Sequence, residues 1–117
     1  MDERRKLRRR HLIYYLRVFN DATDEVVGHV IDIHTEGHLL ISDHPLPIGH
    51  VFNLRMILPA EMNHTEAIRF DALSVWSRPD IIPEFYNTGF KFLDMDPGHT
   101  ETIRQLIHLF GLQDIWD

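Results

Sequence analysis

The stretch VFNLRMIL, residues Val51 to Leu58, places large apolar side chains at every second position. Asn53 and Arg55 lie between them, and Pro59 follows directly. Because successive side chains of a β-strand point to opposite faces, this alternation predicts a strand with one face buried and the other in water. Proline cannot donate a ladder hydrogen bond, so we expect the strand to end there. The stretch therefore indicates a sheet or barrel with an apolar interior.

Five further stretches predict strands on either side of it. They are rich in β-branched and aromatic residues and are separated by polar, Pro-containing or Gly-containing connections. In the fifth strand we expect Trp76 to share the inner face with Ile68, Phe70 and Ala72. The predicted strands are His11 to Phe19, Val26 to Ile33, His38 to Ser42, Ile68 to Trp76 and Phe85 to Leu93.

The C-terminal part changes to helical spacing. Asp96 is placed as an N-cap with Pro97 at the first helical position, and Gly111 marks the end. We predict a helix at about residues 97–110 whose apolar face is Ile103, Leu106, Ile107 and Phe110. Strands in close succession and then one helix favour an all-β dominated fold, an antiparallel barrel or sandwich with the helix packed against it.

Composition narrows the class of protein further. The chain has 117 residues, no cysteine and a net charge of −6, so disulfides and iron–sulfur clusters are excluded. No stretch approaches the roughly 20 apolar residues that span a bilayer, and the N-terminal apolar run has no cleavage site, so we expect a soluble, cytoplasmic protein without membrane insertion. Six of the twelve basic residues lie in the first ten positions, which predicts a flexible basic segment, 1–10, ahead of one domain, 11–117.

Two motifs border the first two predicted strands. Arg4-Arg5-Lys6-Leu7-Arg8-Arg9-Arg10 precedes the first strand, and Asp32-Ile33-His34-Thr35-Glu36-Gly37 closes the second. In order and spacing they resemble the PilZ family, whose signature is an Arg-x-x-x-Arg segment ahead of the barrel and an Asp/Asn-x-Ser-x-x-Gly turn roughly two dozen residues later. The strand Thr88-Gly89-Phe90-Lys91-Phe92 is similar to the late Gly-x-x-Phe strand of that family.

The resemblance implies a six-stranded antiparallel PilZ-type β-barrel with a C-terminal α-helix that binds cyclic di-GMP. An arginine fork can hold a phosphate or pair with guanine O6 and N7. Asp32 can accept hydrogen bonds from guanine, and Gly37 would permit a tight turn. The arginine pair is Arg5 and Arg9 in one register and Arg4 and Arg8 in the other. The implied ligand-binding residues are Arg4, Arg5, Arg8, Arg9, Asp32, His34 and Gly37.

His34 stands where the family has a serine, and this leaves two functions open. The imidazole can bond or stack on a guanine, or it can block the pocket. The first function is a receptor whose arginine-rich segment is ordered by cyclic di-GMP and which signals to an unidentified downstream protein. The alternative is a degenerate adaptor that binds protein and no nucleotide. A homodimer is compatible with either, whereas the acidic body disfavours nucleic acid.

Metal binding and catalysis have little support in the sequence. The nine histidines have no cysteine partners and no zinc-protease spacing, so we expect them at the surface or in turns. No Gly-x-Ser-x-Gly elbow or phosphate-binding loop is present. We therefore expect no enzyme activity, no metal and no cofactor.

Overall fold

The structure is a computed structural model that describes residues 16–60, 62 and 66–110, with the backbone alone for Phe110. It contains six strands and one C-terminal helix, as predicted. Residues 11–15 of the first predicted strand and the predicted helix stop at Gly111 lie outside this range. The elements are β1 Arg17–Asn20, β2 Val26–His34, β3 Gly37–Ser42, β4 Val51–Ile57, β5 Ala67–Pro79, β6 Tyr86–Leu93 and α1 Pro97–Phe110.

The strands form a closed antiparallel barrel in the order β1-β2-β3-β6-β5-β4. Closure comes from β1, which pairs with β2 on one side and with β4 on the other. Closing the barrel leaves no strand of this sheet with an unpaired edge. The β2–β3 and β4–β5 connections lie at one end. The other three strand connections lie at the opposite end, which we call the mouth.

The interior is built from alternate residues, as the period of a strand requires. In β4, Leu54 and Met56 are fully buried and Leu58 follows them inside, which confirms the face predicted from VFNLRMIL. Ile68 and Ala72 of β5 are buried in the same core. Burial of such side chains contributes about 1.5–3 kcal/mol each, so this alternation is the main source of barrel stability.

A β-bulge in β2 changes which side chains face outward. Val30 pairs with Leu40 and Asp32 with Leu39, so Ile31 is an extra residue without a partner of its own on β3. Val30 and Ile31 are both buried, and the alternation then resumes with Ile33 inside. Without the bulge, Asp32 would share the inner face with Val30. The bulge therefore puts Asp32 and His34 on the outer face.

A second bulge, in β5, makes one sequence prediction wrong. Ser74 pairs with Phe90 and Trp76 pairs with Gly89, so Val75 is the extra residue. Trp76 consequently does not share the inner face with Ile68, Phe70 and Ala72. Its ring lies against Gly89 instead, on the outer face of the barrel. The alternation predicted for this strand holds only up to Ser74.

Helix α1 begins as predicted. The Asp96 carboxylate accepts the backbone N–H of Gly98 at 2.9 Å, which satisfies one of the unpaired donors at the start of the helix. Ile103 and Leu106 are buried in the barrel core, and Ile107 is partly buried against it. The helix contacts β2. Three of the four predicted apolar positions therefore face the barrel, and the side chain of Phe110 lies outside the described part.

Candidate functional site

Cross-strand pairing brings four outward residues of four strands into one row. Asp32 of β2 pairs with Leu39 of β3, Leu39 pairs with Gly89 of β6, and Gly89 pairs with Trp76 of β5. The row beside it joins His34, Gly37 and Lys91 in the same way. We call this surface the outer platform, and it consists of Asp32, His34, Gly37, Leu39, Trp76, Gly89 and Lys91.

Two positions of the outer platform are glycines because a side chain at either one would collide with a neighbouring strand. A Cβ on Gly37 would lie 2.1 Å from the carbonyl oxygen of Phe90, and a Cβ on Gly89 would lie 2.4 Å from the indole nitrogen of Trp76. Gly37 has no positive φ, so close approach of β6, and not the tight turn expected from the sequence, explains the glycine. Gly37 therefore allows the backbone of β6 to approach closely, and Gly89 makes room for the indole ring of Trp76.

Trp76 supplies an aromatic surface that sequence reasoning placed inside the barrel. The ring is half-buried, and the guanidinium carbon of Arg78 lies 4.8 Å from its centroid. A cation over an indole face is attracted by the electron-rich ring. The alternation of the sequence placed Trp76 inside because a bulge has no reliable signature in a single sequence.

His34 has one ring nitrogen already engaged. It is exposed, and its Nδ1 accepts the backbone N–H of Glu36 at 3.0 Å. A neutral imidazole carries one donor and one acceptor, so this hydrogen bond places the proton on Nε2. His34 therefore offers an N–H donor to a ligand, whereas serine in the same place would offer a hydroxyl.

Asp32 lies inside β2 and is half-buried, so it is not a residue of the turn. Its Oδ1 accepts the N–H of Ile33 at 3.0 Å. Lys91, which sequence reasoning did not select, is exposed on β6 beside Gly37. Carboxylate, imidazole, ammonium and indole groups thus occur on one face of the barrel. A carboxylate and an imidazole N–H can bond base edges, a lysine can bind a phosphate, and an indole can stack on a base.

The predicted residues Arg4, Arg5, Arg8 and Arg9 lie outside the described range. The described chain begins at Leu16, whose carbonyl oxygen accepts the N–H of Val30 at 2.8 Å. The described part of the chain therefore begins alongside β2, next to a residue two positions before Asp32 in that strand. Of the seven site residues predicted from sequence, the structure locates Asp32, His34 and Gly37, and it places them together.

The prediction that the histidines lie at the surface or in turns is wrong for His38. It is buried in the barrel, stacked on Phe90 at 5.0 Å and on Phe92 at 5.2 Å between ring centroids, with Phe70 edge-on at 5.5 Å. Neither ring nitrogen has a hydrogen-bond partner among the described residues. Burial first, and then the nearby His34, lowers the pKa of His38 to about 3. His38 is therefore a neutral core residue directly behind the platform.

Two further findings concern the residues that the structure describes. No three His, Cys, Asp or Glu side chains among them lie close enough to hold a metal ion. No helix in this part is long and apolar enough to cross a membrane.

The structure is thus a closed six-stranded barrel with carboxylate, imidazole, ammonium and indole groups on one outer face. Residues 3–109 match the family model of the PilZ domain, and this chain therefore belongs to the PilZ domain family. A comparison with curated proteins finds no match.

Three solved structures share the fold. The inhibitor of motility MotI/DgrA of Bacillus subtilis has a TM-score of 0.66 and 17% identity, over 86% of this chain and 47% of that one. Escherichia coli YcgR in complex with c-di-GMP has a TM-score of 0.62 and 17% identity, over 85% and 42%. The K. pneumonia MrkH–c-di-GMP complex has a TM-score of 0.65 and 16% identity, over 85% and 47%. This chain spans less than half the length of each.

Proposed function

We propose that this domain is a cyclic di-GMP receptor whose ligand lies on the outer platform. The observation that carries the proposal is the alignment of Asp32 and His34 with Trp76 and Lys91 on one face, with two glycines between them. Family membership supports it, as do the titles of the YcgR and MrkH structures, which name that ligand. In this proposal the domain binds cyclic di-GMP and catalyses no reaction.

The chemistry of the ligand fits the groups on this face. Cyclic di-GMP carries two phosphates and two guanines. Asp32 would accept hydrogen bonds from the donor edge of one guanine, and the Nε2 proton of His34 would meet a guanine acceptor or a phosphate oxygen. Trp76 would stack on a base, since base–aromatic stacking contributes about 1–3 kcal/mol per base. Lys91 would take part of the phosphate charge.

The basic segment would complete the site. Arg5 and Arg9, or Arg4 and Arg8 in the other register, would bind phosphates and guanines as bidentate forks. Phosphate neutralises the mutual repulsion of these cations, so we propose that the ligand orders residues 1–10 over the platform and thereby changes the surface offered to a downstream protein. The cytoplasmic location and the homodimer remain predictions within this proposal.

Calorimetric titration with cyclic di-GMP, with GTP as the comparison ligand, tests the proposal directly. We expect selective binding by the wild type and none by the Arg5→Ala/Arg9→Ala variant. Arg104→Ala is the matched control, because Arg104 is an exposed arginine on α1 that forms a salt bridge with Glu101 of the same helix. Unchanged affinity in the double variant would exclude the assigned arginines. A His34→Ser variant should keep or strengthen binding if the imidazole is a tolerated substitution, and a large loss would show that it makes its own contact.

The stacking role of Trp76 can be read separately by fluorescence. The chain has two tryptophans, so Trp116→Phe leaves Trp76 as the reporter. Stacking on guanine should quench it, and Trp76→Ala in the wild-type background should weaken binding roughly tenfold to a hundredfold. If cyclic di-GMP binds without quenching the emission of Trp76, and the Trp76→Ala variant binds it with wild-type affinity, the ligand lies away from Trp76.

The adaptor alternative keeps one specific observation in its favour. His34 already uses Nδ1 in the turn, and its ring is larger than the serine of the family pattern. A folded wild-type protein that binds no cyclic di-GMP, together with a His34→Ser variant that does, would favour the adaptor.

A further inference from the structure

A cavity lies at the mouth of the barrel. Its volume is about 740 Å³, within the range of roughly 300–1,000 Å³ that ligand pockets occupy. Its walls come from the β1–β2 hairpin, the loop of residues 43–50, β4 and the β5–β6 turn. Most of the lining is apolar and includes Val27, Ile41, Leu46, Phe52, Ile82 and Phe85.

The mouth exposes most of the large apolar side chains found at the surface of the described part. Seven large hydrophobic residues of the described part are exposed, and five of them lie in or beside the connections at the mouth: Val26, Ile48, Val51, Ile81 and Ile82. Val26 and Ile82 line the cavity itself. Single exposed apolar residues are ordinary, but several at one end of the barrel, two of them in a cavity wall, indicate an interaction site. The two that lie elsewhere are Val75 and Leu109.

The walls of the mouth are held in place by buried polar groups. In the β5–β6 turn, the buried Asp80 accepts the N–H of Ile82 at 3.1 Å and the side-chain amide of Asn87 at 2.9 Å. In the 43–50 loop, the buried Ser74 hydroxyl donates to the carbonyl of Pro47 at 2.6 Å and accepts the N–H of His50 at 3.2 Å. Ile82 is therefore presented to solvent by a fixed turn.

The charge of the cavity selects among occupants. Glu25 and Asp43 line it, and no lysine or arginine does. Neither carboxylate makes a salt bridge within the described part of the chain, whereas Asp21 and Asp24 of the same hairpin are paired with Arg55. His29 also lines the cavity, and burial, followed by the effect of Arg17, lowers its pKa although Asp43 acts in the opposite direction, so its imidazole gains a proton less readily than a free one. An apolar cavity with two carboxylates that have no salt bridge within the described residues complements an apolar group with cations beside it.

We propose that the mouth is the docking site for a partner protein, which inserts an aliphatic or aromatic side chain flanked by lysine or arginine. The sheet is closed, so a partner cannot add a strand to it and must bind through side chains. The inference deepens the proposed function and rests on it, because a receptor needs an output surface. It places that surface at the opposite end of the barrel from the β2–β3 turn.

Selection of a random-peptide phage library against the full chain tests the proposal. We expect the selected peptides to share a bulky apolar residue next to a basic one. For a synthetic selected peptide, fluorescence anisotropy should show roughly tenfold weaker binding to Ile82→Ser, as for loss of an interface anchor. Val75→Ser is the matched control, since Val75 and Ile82 are 45% and 41% exposed and Val75 does not line the cavity. Glu25→Gln/Asp43→Asn should weaken binding and reduce its dependence on salt.

Several outcomes would overturn the proposal. They are a library that yields no binder, selected peptides that are acidic, and a peptide whose affinity is equal for Ile82→Ser and wild type. Concentration-dependent dimerisation that Ile82→Ser abolishes would assign the mouth to a second copy of this chain. Calorimetry with cyclic di-GMP on the same variants keeps the two proposals apart. Ile82→Ser should leave the affinity for cyclic di-GMP unchanged. If the wild-type protein binds the peptide but no nucleotide, the receptor proposal is excluded and the docking site at the mouth is retained.

Discussion

His38 should make the barrel sensitive to mild acid. The imidazole is fully buried between Phe70, Phe90 and Phe92, and its pKa falls from 6.5 to about 3 on folding. A lowered pKa means that the folded state binds fewer protons than the unfolded chain between these two values. The titration of His38 therefore leaves the free energy of unfolding unchanged above about pH 6.5 and lowers it as the pH drops below that value. The loss continues down to about pH 3.

The size of the effect follows from the shift. At about pH 5 the unfolded imidazole is almost fully protonated while the folded one is neutral. The difference of about 1.5 pH units from 6.5, at 1.36 kcal/mol per unit, gives about 2 kcal/mol. This is a large part of the 5–15 kcal/mol typical of a small domain.

Urea denaturation at about pH 7.5 and about pH 5 measures the loss of unfolding free energy, and the comparison is with His38→Phe. The phenylalanine keeps an aromatic ring in the cluster and removes the titration. Any packing penalty is present at both pH values and cancels from the difference. Wild type should lose about 2 kcal/mol more than His38→Phe, and the exposed-loop control His50→Gln should behave as wild type. Equal losses in wild type and His38→Phe would refute the assigned protonation behaviour.

Two further predictions concern fixed points of the barrel. Gly37→Ala would set a Cβ 2.1 Å from the Phe90 carbonyl and force β3 away from β6, so thermal unfolding should show a loss of at least about 3 kcal/mol. Gly49→Ala meets nothing within 4 Å and bears only the strain of its φ of 79°, about 1–2 kcal/mol, so an equal loss in the two variants would contradict the steric argument. Asp80→Ala leaves the N–H of Ile82 without its acceptor and should lower the free energy of unfolding by about 2 kcal/mol in urea, whereas unchanged stability would show that water replaces the carboxylate.

Much of the fold follows from local pattern. The alternation in VFNLRMIL required Leu54 and Met56 inside, and the change to helical spacing after Asp96 required a helix. These predictions succeeded because side-chain direction in a strand or helix has a fixed period. The arginine motif and the Asp32–Gly37 motif also pointed to the wall on which we propose the site, since their spacing along the chain resembles a family pattern.

The remaining features depend on contacts between distant strands. Bulges at Ile31 and Val75 turn Asp32 and Trp76 outward, and they exist because β2 and β5 must match the register of β3 and β6 in a closed barrel. A single sequence carries no register, so it placed Trp76 inside.

For the whole protein, too, properties set by neighbours along the chain could be predicted from the sequence, and properties set by contacts between distant strands could not. The sequence by itself determined six strands, a capped helix, the absence of thiol chemistry and the two motifs, all of which depend on neighbours along the chain. Only the tertiary structure decided that His38 is a neutral core residue, that Lys91 lies beside Gly37, and that the mouth is apolar and lined by carboxylates. Those properties arise where residues far apart in sequence meet, and burial and register there are set by closure of the barrel.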